Sequence, residues 1–224
     1  MTVSEFASTI EHTRVAGNDT LEDIKEALDD AIKYHFGAVC VNPYYVPYAS
    51  ESLSGSGVEV CTGIGFPLGA SLLDVKIEEM KRVVALGADA VDYVINYSAL
   101  KSGDWDHIAR EIEILVKYAG SAITKLIIET CYLSKDEIAR VSRMAADMGV
   151  QYIKTSTGMG PSGAQVEDVR MIADTIGSKA KIKASGGIRT LEQALELIDA
   201  GASRLGTSRG PALVEAYREK LLND

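Results

Sequence analysis

Seven glycines recur along this chain at intervals of 20 to 33 residues: Gly37, Gly57, Gly87, Gly120, Gly149, Gly177 and Gly201. Each follows a segment that is helical by pattern or position, and an apolar run begins within a few residues of each. A glycine just past a helix end takes φ > 0 at little steric cost. The runs are AVCVN, VEVCTGI, AVDYVIN, TKLIIET, QYIKT, KIKAS and SRLGT. Short and rich in Val, Ile and Leu, they read as strands buried on both faces, as in a parallel sheet. With TIEHT (9–13) as the first strand and PALVEAYREKLL as the last helix, the pattern predicts eight strand–helix units. Eight units imply a closed (β/α)8 TIM barrel, a single domain over residues 1–224. A doubly wound open sheet needs fewer units, and the first strand–helix turn carries no G-x-G-x-x-G.

The segments between the runs are amphipathic. In LEDIKEALDDAIKYH (21–35), Leu21, Ile24, Ala27, Leu28, Ala31 and Ile32 fall at three-four spacing behind Thr20, a plausible N-cap. SKDEIARVSRMAADM places Ser134 and Glu137 at capping-box spacing. The region 43–56 is the least defined, because two prolines interrupt it.

Hydrophobic residues make up 46% of the chain and charged residues 25%, the balance of a soluble globular protein. The formal net charge of −9, with no run of Lys or Arg, argues against nucleic acid or an anionic membrane surface as partner. No stretch of about 18 apolar residues and no leader-like start occurs, so the expected location is cytoplasmic. Cys40, Cys61 and Cys131 are odd in number, widely spaced and flanked by aliphatic residues. That pattern fits buried thiols in a reducing compartment rather than a disulfide frame or a zinc site.

A barrel of this kind works at the C-terminal ends of its strands. Those ends carry His12, Asn42, Asp92, Asn96, Glu129, Lys154 and Lys183, with the loops GFPLG, SGGIRT and GTSRG. His12 is expected to pack in the core, and His35 and His107 to lie on helix surfaces, so the histidines form no ligand set and no metal is expected. Lys154 and Lys183 lie 29 residues apart, one repeat, and are each followed by small polar residues and glycine. Equivalent positions on neighbouring strands lie about 4.8 Å apart. Two ammonium groups ~6 Å apart at an effective dielectric of ~20 repel by about 2.8 kcal/mol, or roughly two pKa units. Such a neighbour activates a lysine for Schiff-base chemistry. The alternative for each lysine is a solvated or salt-bridged role. Asp92, within AVDYVIN, is costly to bury unpaired. It is either half of a structural ion pair or a group that moves protons.

SGGIRT (185–190) and GTSRG (206–210) follow the seventh and eighth strands, where such barrels bind phosphate through loop N–H groups. Gly186 and Gly187 allow close backbone approach, Ser208 offers a hydroxyl, and Arg189 or Arg209 a charge. Gly206 belongs to the same loop. Thr155 and Gly158, next to Lys154, complete the expected binding residues.

KTSTG (154–158), KASGGIRT (183–190), VDYVIN with ALKSGDW (91–105), IIETCYL (127–133), VCVNPYYVP (39–47) and CTGIGFPLGA (61–70) together resemble the deoxyribose-phosphate aldolases. The resemblance runs in order along nearly the whole chain. It implies a class I aldolase without metal or other cofactor, a small phosphorylated sugar as substrate, and a homo-oligomer, dimer or tetramer. It also implies Lys154 as Schiff-base lysine, Lys183 as its perturbing neighbour and Asp92 as the proton-moving carboxylate; the mechanism expected from these residues breaks the C3–C4 bond. Two features depart from the family. The first strand reads EHTRVAGN, with Glu11 in place of the usual acid and no lysine after it, and the chain ends KLLND without a terminal tyrosine. The rival functions are a Schiff-base aldolase for another phosphorylated ketose or keto-acid, and a non-catalytic sugar-phosphate-binding barrel.

Overall fold

The computed structural model describes residues 1–223. Eight parallel strands, β1 (Ile10–Arg14), β2 (Ala38–Val41), β3 (Glu59–Ile64), β4 (Ala90–Val94), β5 (Ile123–Ile127), β6 (Tyr152–Lys154), β7 (Lys181–Ser185) and β8 (Arg204–Thr207), pair in chain order. β8 returns to β1 through Ile10↔Leu205, closing the barrel. The short helix α1 (Val3–Thr9) precedes β1. Outside the barrel lie α2 (Leu21–Tyr34), α3 (Val46–Ser52), α4 (Leu73–Ala85), α5 (Tyr97–Lys101), α6 (Trp105–Ala119), α7 (Lys135–Asp147), α8 (Val166–Ile176), α9 (Leu191–Asp199) and α10 (Gly210–Asn223).

Every strand expected from the apolar runs is present, and both expected caps form. Thr20 caps α2 in a box with Asp23, and Ser134 caps α7 in a box with Glu137. The proline-interrupted stretch becomes a 3-10 turn, Pro43–Tyr45, running into α3, with Pro47 in the first turn where its missing N–H is harmless. Six of the seven glycines have positive φ. Gly37 does not; His35 takes the left-handed cap of α2 at φ 56° instead. Gly37 is needed for space, since a Cβ there would lie 1.7 Å from Arg204 Nη1 and 2.3 Å from the Ser8 carbonyl.

Side chains alternate along each strand. Val39, Val41, Val91, Tyr93, Leu126, Ile153, Ile182 and Leu205 join one large apolar core with the helices. Ala38, Cys40, Cys61 and Ala90 form a second, separate cluster of small residues. Together with them, Glu11, Asp92, Lys125, Lys154 and Lys183 are buried, none more than 5% exposed. Barrels of this fold usually fill their interior with layers of Val, Ile and Leu. Here small and charged residues take that place.

Candidate active site

β6 and β7 pair in register at Lys154↔Lys183, as the 29-residue spacing predicts. Both amines reach the same oxygen: Lys154 Nζ and Lys183 Nζ each donate to Asp92 Oδ2 at 2.7 Å. The two charges are therefore not left to repel across a gap, as the spacing alone implied; a carboxylate lies between them. Two further groups join. Lys183 also donates to Glu11 on β1. Lys125 on β5, the register partner of Asp92, lies 3.3 Å from Glu11 Oε1 and 3.5 Å from Asp92 Oδ1. Three amines thus share two carboxylates, so the fully ionised cluster carries one excess positive charge.

Burial alone would raise the Asp92 carboxyl, but the Lys154, Lys183 and Lys125 ammoniums outweigh it and hold Asp92 well below the usual carboxylate range. Glu11 is lowered in the same way, burial being opposed by Lys125 and Lys183. Burial pushes Lys183 down, yet Asp92 and Glu11 on either side keep it well above an ordinary lysine. Lys125 is likewise raised against burial by the Cys61 sulfur, Glu11 and Asp92. Buried groups of opposite sign that satisfy one another in this way avoid the large cost of an isolated buried charge.

Glu11 and Lys125 are the members that sequence reasoning missed. Glu11 stood out only as a departure from the family motif, and the structure places it under Lys183. Lys125 carried the same signal as the other two lysines. It interrupts an apolar run, TKLIIE, and precedes Lys154 by the same 29 residues that separate Lys154 from Lys183. It has no glycine-bearing loop directly behind it, because it lies deeper in the barrel: its neighbour in register on β6 is Tyr152, not Lys154.

Above the cluster a pocket of about 320 Å³ opens at the C-terminal ends of the strands. Of the residues expected there, Lys154, Gly158, Gly186, Gly187, Arg189, Gly206 and Ser208 line it. Arg209 is not among the lining residues; the arginines that line the pocket are Arg189 and Arg14. Gly158 and Gly186 have φ of 85° and 86°. A Cβ on Gly186 would meet Gly163 Cα at 2.9 Å and Gly158 Cα at 3.3 Å, so the loops after β6 and β7 touch backbone to backbone. Gly206 does more than border the pocket. A side chain there would fall 3.1 Å from Lys183 Cε, and its absence makes room for that lysine. Thr155 is not at the pocket. It is fully buried, and its hydroxyl accepts from the Ser185 N–H at 3.1 Å and donates to the Ser185 carbonyl at 3.3 Å, tying β6 to β7. A smaller cavity of about 20 Å³ opens beside Lys154 and Asp92, walled by Cys40, Asn42, Phe66 and Val15.

The remaining strand-end residues are structural. Glu129, in the left-handed region at φ 52°, accepts from the Thr157 N–H at 3.1 Å and from its hydroxyl, anchoring the loop that follows Lys154. Asn96 caps α5 through Ala99 N. His12 packs on Phe36 and is buried, as expected; burial and then Arg14 lower its pKa to about 4. His35 is exposed and His107 half-buried. Among the described residues, Cys40, Cys61 and Asp92 bring three potential metal donors within 4.8 Å. They do not suit a cation, since three ammonium groups already crowd Asp92.

Residues 5–212 match the model of the DeoC/LacD family aldolases. A deoxyribose-phosphate aldolase of Thermococcus gammatolerans is 48% identical over 218 residues, 96% of this chain and 97% of that protein. One from Dictyoglomus turgidum is 46% identical over 210 residues, 94% and 96%. Among solved structures, the aldolase QR15 superposes with a TM-score of 0.92 at 38% identity, covering 97% of this chain and 98% of its own. A deoxyribose phosphate aldolase of Aeropyrum pernix, described as tetrameric, gives 0.90 at 29% identity over 97% and 92%. With relatives nearly half identical across almost the whole barrel, this chain belongs to the DeoC/LacD family of aldolases.

Proposed function

We propose that the chain cleaves 2-deoxy-D-ribose 5-phosphate reversibly to acetaldehyde and D-glyceraldehyde 3-phosphate through a Schiff base on Lys154. The observation that carries this reading is one amine at the floor of an open pocket, bonded to a carboxylate oxygen that a second, fully buried amine also holds. Lys183 and Lys125 are kept protonated by Glu11 and Asp92, so two cations match two anions. The third amine, Lys154, is the one that lines the pocket and so the one a substrate carbonyl can reach.

In the proposed cycle the Lys154 amine attacks C1 of the open-chain sugar. Asp92 and Lys183 pass protons to the carbinolamine hydroxyl, which leaves as water, and an iminium forms. The bond that breaks is C2–C3, not the C3–C4 bond expected from the sequence. An iminium at C1 accepts electrons only from the bond between its α and β carbons, and only that cut yields two- and three-carbon products. As the C3 hydroxyl loses its proton, the C2–C3 pair moves to form the enamine and glyceraldehyde 3-phosphate departs. Protonation at C2 and hydrolysis release acetaldehyde and restore the amine. The loops bearing Gly186, Gly187, Arg189 and Ser208 hold the phosphate at the far side of the pocket.

Borohydride reduction in the presence of 2-deoxyribose 5-phosphate, followed by peptide mass mapping, tests residue, chemistry and substrate together. The expected adduct is on Lys154; no adduct, or one elsewhere, overturns the proposal. We further propose a homo-oligomer, dimer or tetramer, supported by the tetrameric Aeropyrum pernix relative, and a cytoplasmic location. Among the described residues no helix is long and apolar enough to cross a membrane.

A further inference from the structure

Cys40 on β2 and Cys61 on β3 are cross-strand partners in register, both buried in the small-residue cluster. Partners on adjacent strands lie about 4.8 Å apart, within the roughly 4.4–6.8 Å Cα separation of disulfide-bonded cysteines. Their sulfurs and a carboxylate oxygen of Asp92 lie within 4.8 Å of one another. The Cys61 sulfur is 3.2 Å from Asp92 Oδ1 and 3.4 Å from Lys125 Nζ. The two thiols differ in character. The adjoining Cys61 thiol lowers Cys40 against the opposing effect of burial; Lys183 and Lys154 act in the same direction and Asp92 against it. Burial, first of all, holds Cys61 well above an ordinary thiol. A thiol lowered beside one that is raised is the arrangement of an oxidisable cysteine with its resolving partner. Cys40 also faces a way in. It walls the cavity of about 20 Å³, above the ~10–15 Å³ that one water needs. That cavity shares Thr13, Val15, Lys154 and Thr157 with the large pocket.

We propose that Cys40 and Cys61 are a peroxide-sensitive pair whose oxidation to an intramolecular disulfide disarms Lys154. The Cys40 thiolate attacks one oxygen of hydrogen peroxide, the O–O bond breaks, and hydroxide leaves, giving a sulfenic acid. The Cys61 sulfur then attacks the Cys40 sulfur. The sulfenic hydroxyl leaves and takes up the Cys61 proton as water, and the S–S bond forms. Two thiols are oxidised by the loss of two hydrogens, and one peroxide is reduced to two waters. In the bridged protein Cys61 no longer donates to Asp92, and the Cys40 sulfur is drawn towards β3. The carboxylate that positions Lys154 loses a partner, and Schiff-base formation falls. The loss of activity rests on the aldolase reading; the bridge itself does not.

The full-length reduced protein is treated with hydrogen peroxide, quenched with iodoacetamide and mapped by mass spectrometry. The expected result is the loss of two hydrogen masses, a Cys40–Cys61 cross-linked peptide and an alkylated Cys131. Borohydride trapping at Lys154 falls in proportion to the bridged fraction and returns with dithiothreitol. In Cys61→Ser the bridge is absent and dimedone captures Cys40 as the sulfenic acid. Alkylation of both cysteines after peroxide, oxidation confined to Cys131, or a bridged protein that traps substrate undiminished overturns the proposal. A reduced protein that forms no adduct at all would instead count against the aldolase reading, while the peptide map still decides the bridge.

Discussion

Lys125 sets the charge of the cluster without touching the pocket. Replacing it with methionine removes one of the three cations that hold Asp92 below the usual carboxylate range, and the first of the two that do so for Glu11. Lys125→Met is expected to lower kcat while borohydride still labels Lys154; an unchanged kcat would remove Lys125 from the mechanism. His12 makes a second prediction. Its folded pKa of about 4 lies below the ordinary value of 6.5, so between these two pH values the unfolded chain binds the extra proton. Stability should therefore fall as pH drops from about 6.5 to about 4, by roughly 3 kcal/mol, and level off below. His12→Leu should flatten that slope in urea titrations across the window. Lys154, Lys183 and Asp92 were legible in the sequence because each is a charge at the end of, or inside, an apolar run. Their mutual bonds to one oxygen were not, because register across a barrel shows only when the strands are closed. Thr155 was read as a binder from its place in KTSTG, but the strand turns its hydroxyl to Ser185.

Helices and strands are joined by one further buried pair that periodicity does not reveal. Lys76 of α4 is fully buried, bonds Glu111 of α6, and donates to the Val94 carbonyl at the end of β4 at 2.9 Å. Glu111 also accepts from the Asn96 N–H at 3.0 Å. Lys76→Met alone strands a buried carboxylate and should cost about 3–5 kcal/mol. Lys76→Met with Glu111→Leu should recover a good part of that loss, read as the midpoint of urea unfolding. Glycines make the other prediction at this scale. Gly37→Ala should destabilise by clash with Arg204 and the Ser8 carbonyl. Gly17→Ala, with open space around it and no positive φ, should change stability by less than about 1 kcal/mol. A Gly37→Ala protein melting at or above Gly17→Ala would refute the close-approach role. The unit pattern was legible because glycine after a helix is a local, steric signal. α1 was not, because its burial comes from a distant element: Phe6 stacks on Tyr217 of α10 with centroids 4.5 Å apart. Nor was α5, a single turn capped by Asn96.

At the scale of the molecule, a chain of formal charge −9 gathers three lysines around two carboxylates inside its barrel. Local arrangement, not the total, decides what binds there. The same interior has a thermal consequence. Hydrocarbon cores gain little further cohesion on heating, whereas taking ions out of water becomes less costly as temperature rises. The axis of this barrel is knit by ions along β1, β4, β5, β6 and β7, while its outer shell is knit by hydrocarbon. Warming should therefore loosen the periphery first. Hydrogen exchange followed through a temperature ramp should find amides of β4–β7 still shielded when those of α3 and α5 have exchanged, leaving a reactive centre that outlasts its own casing.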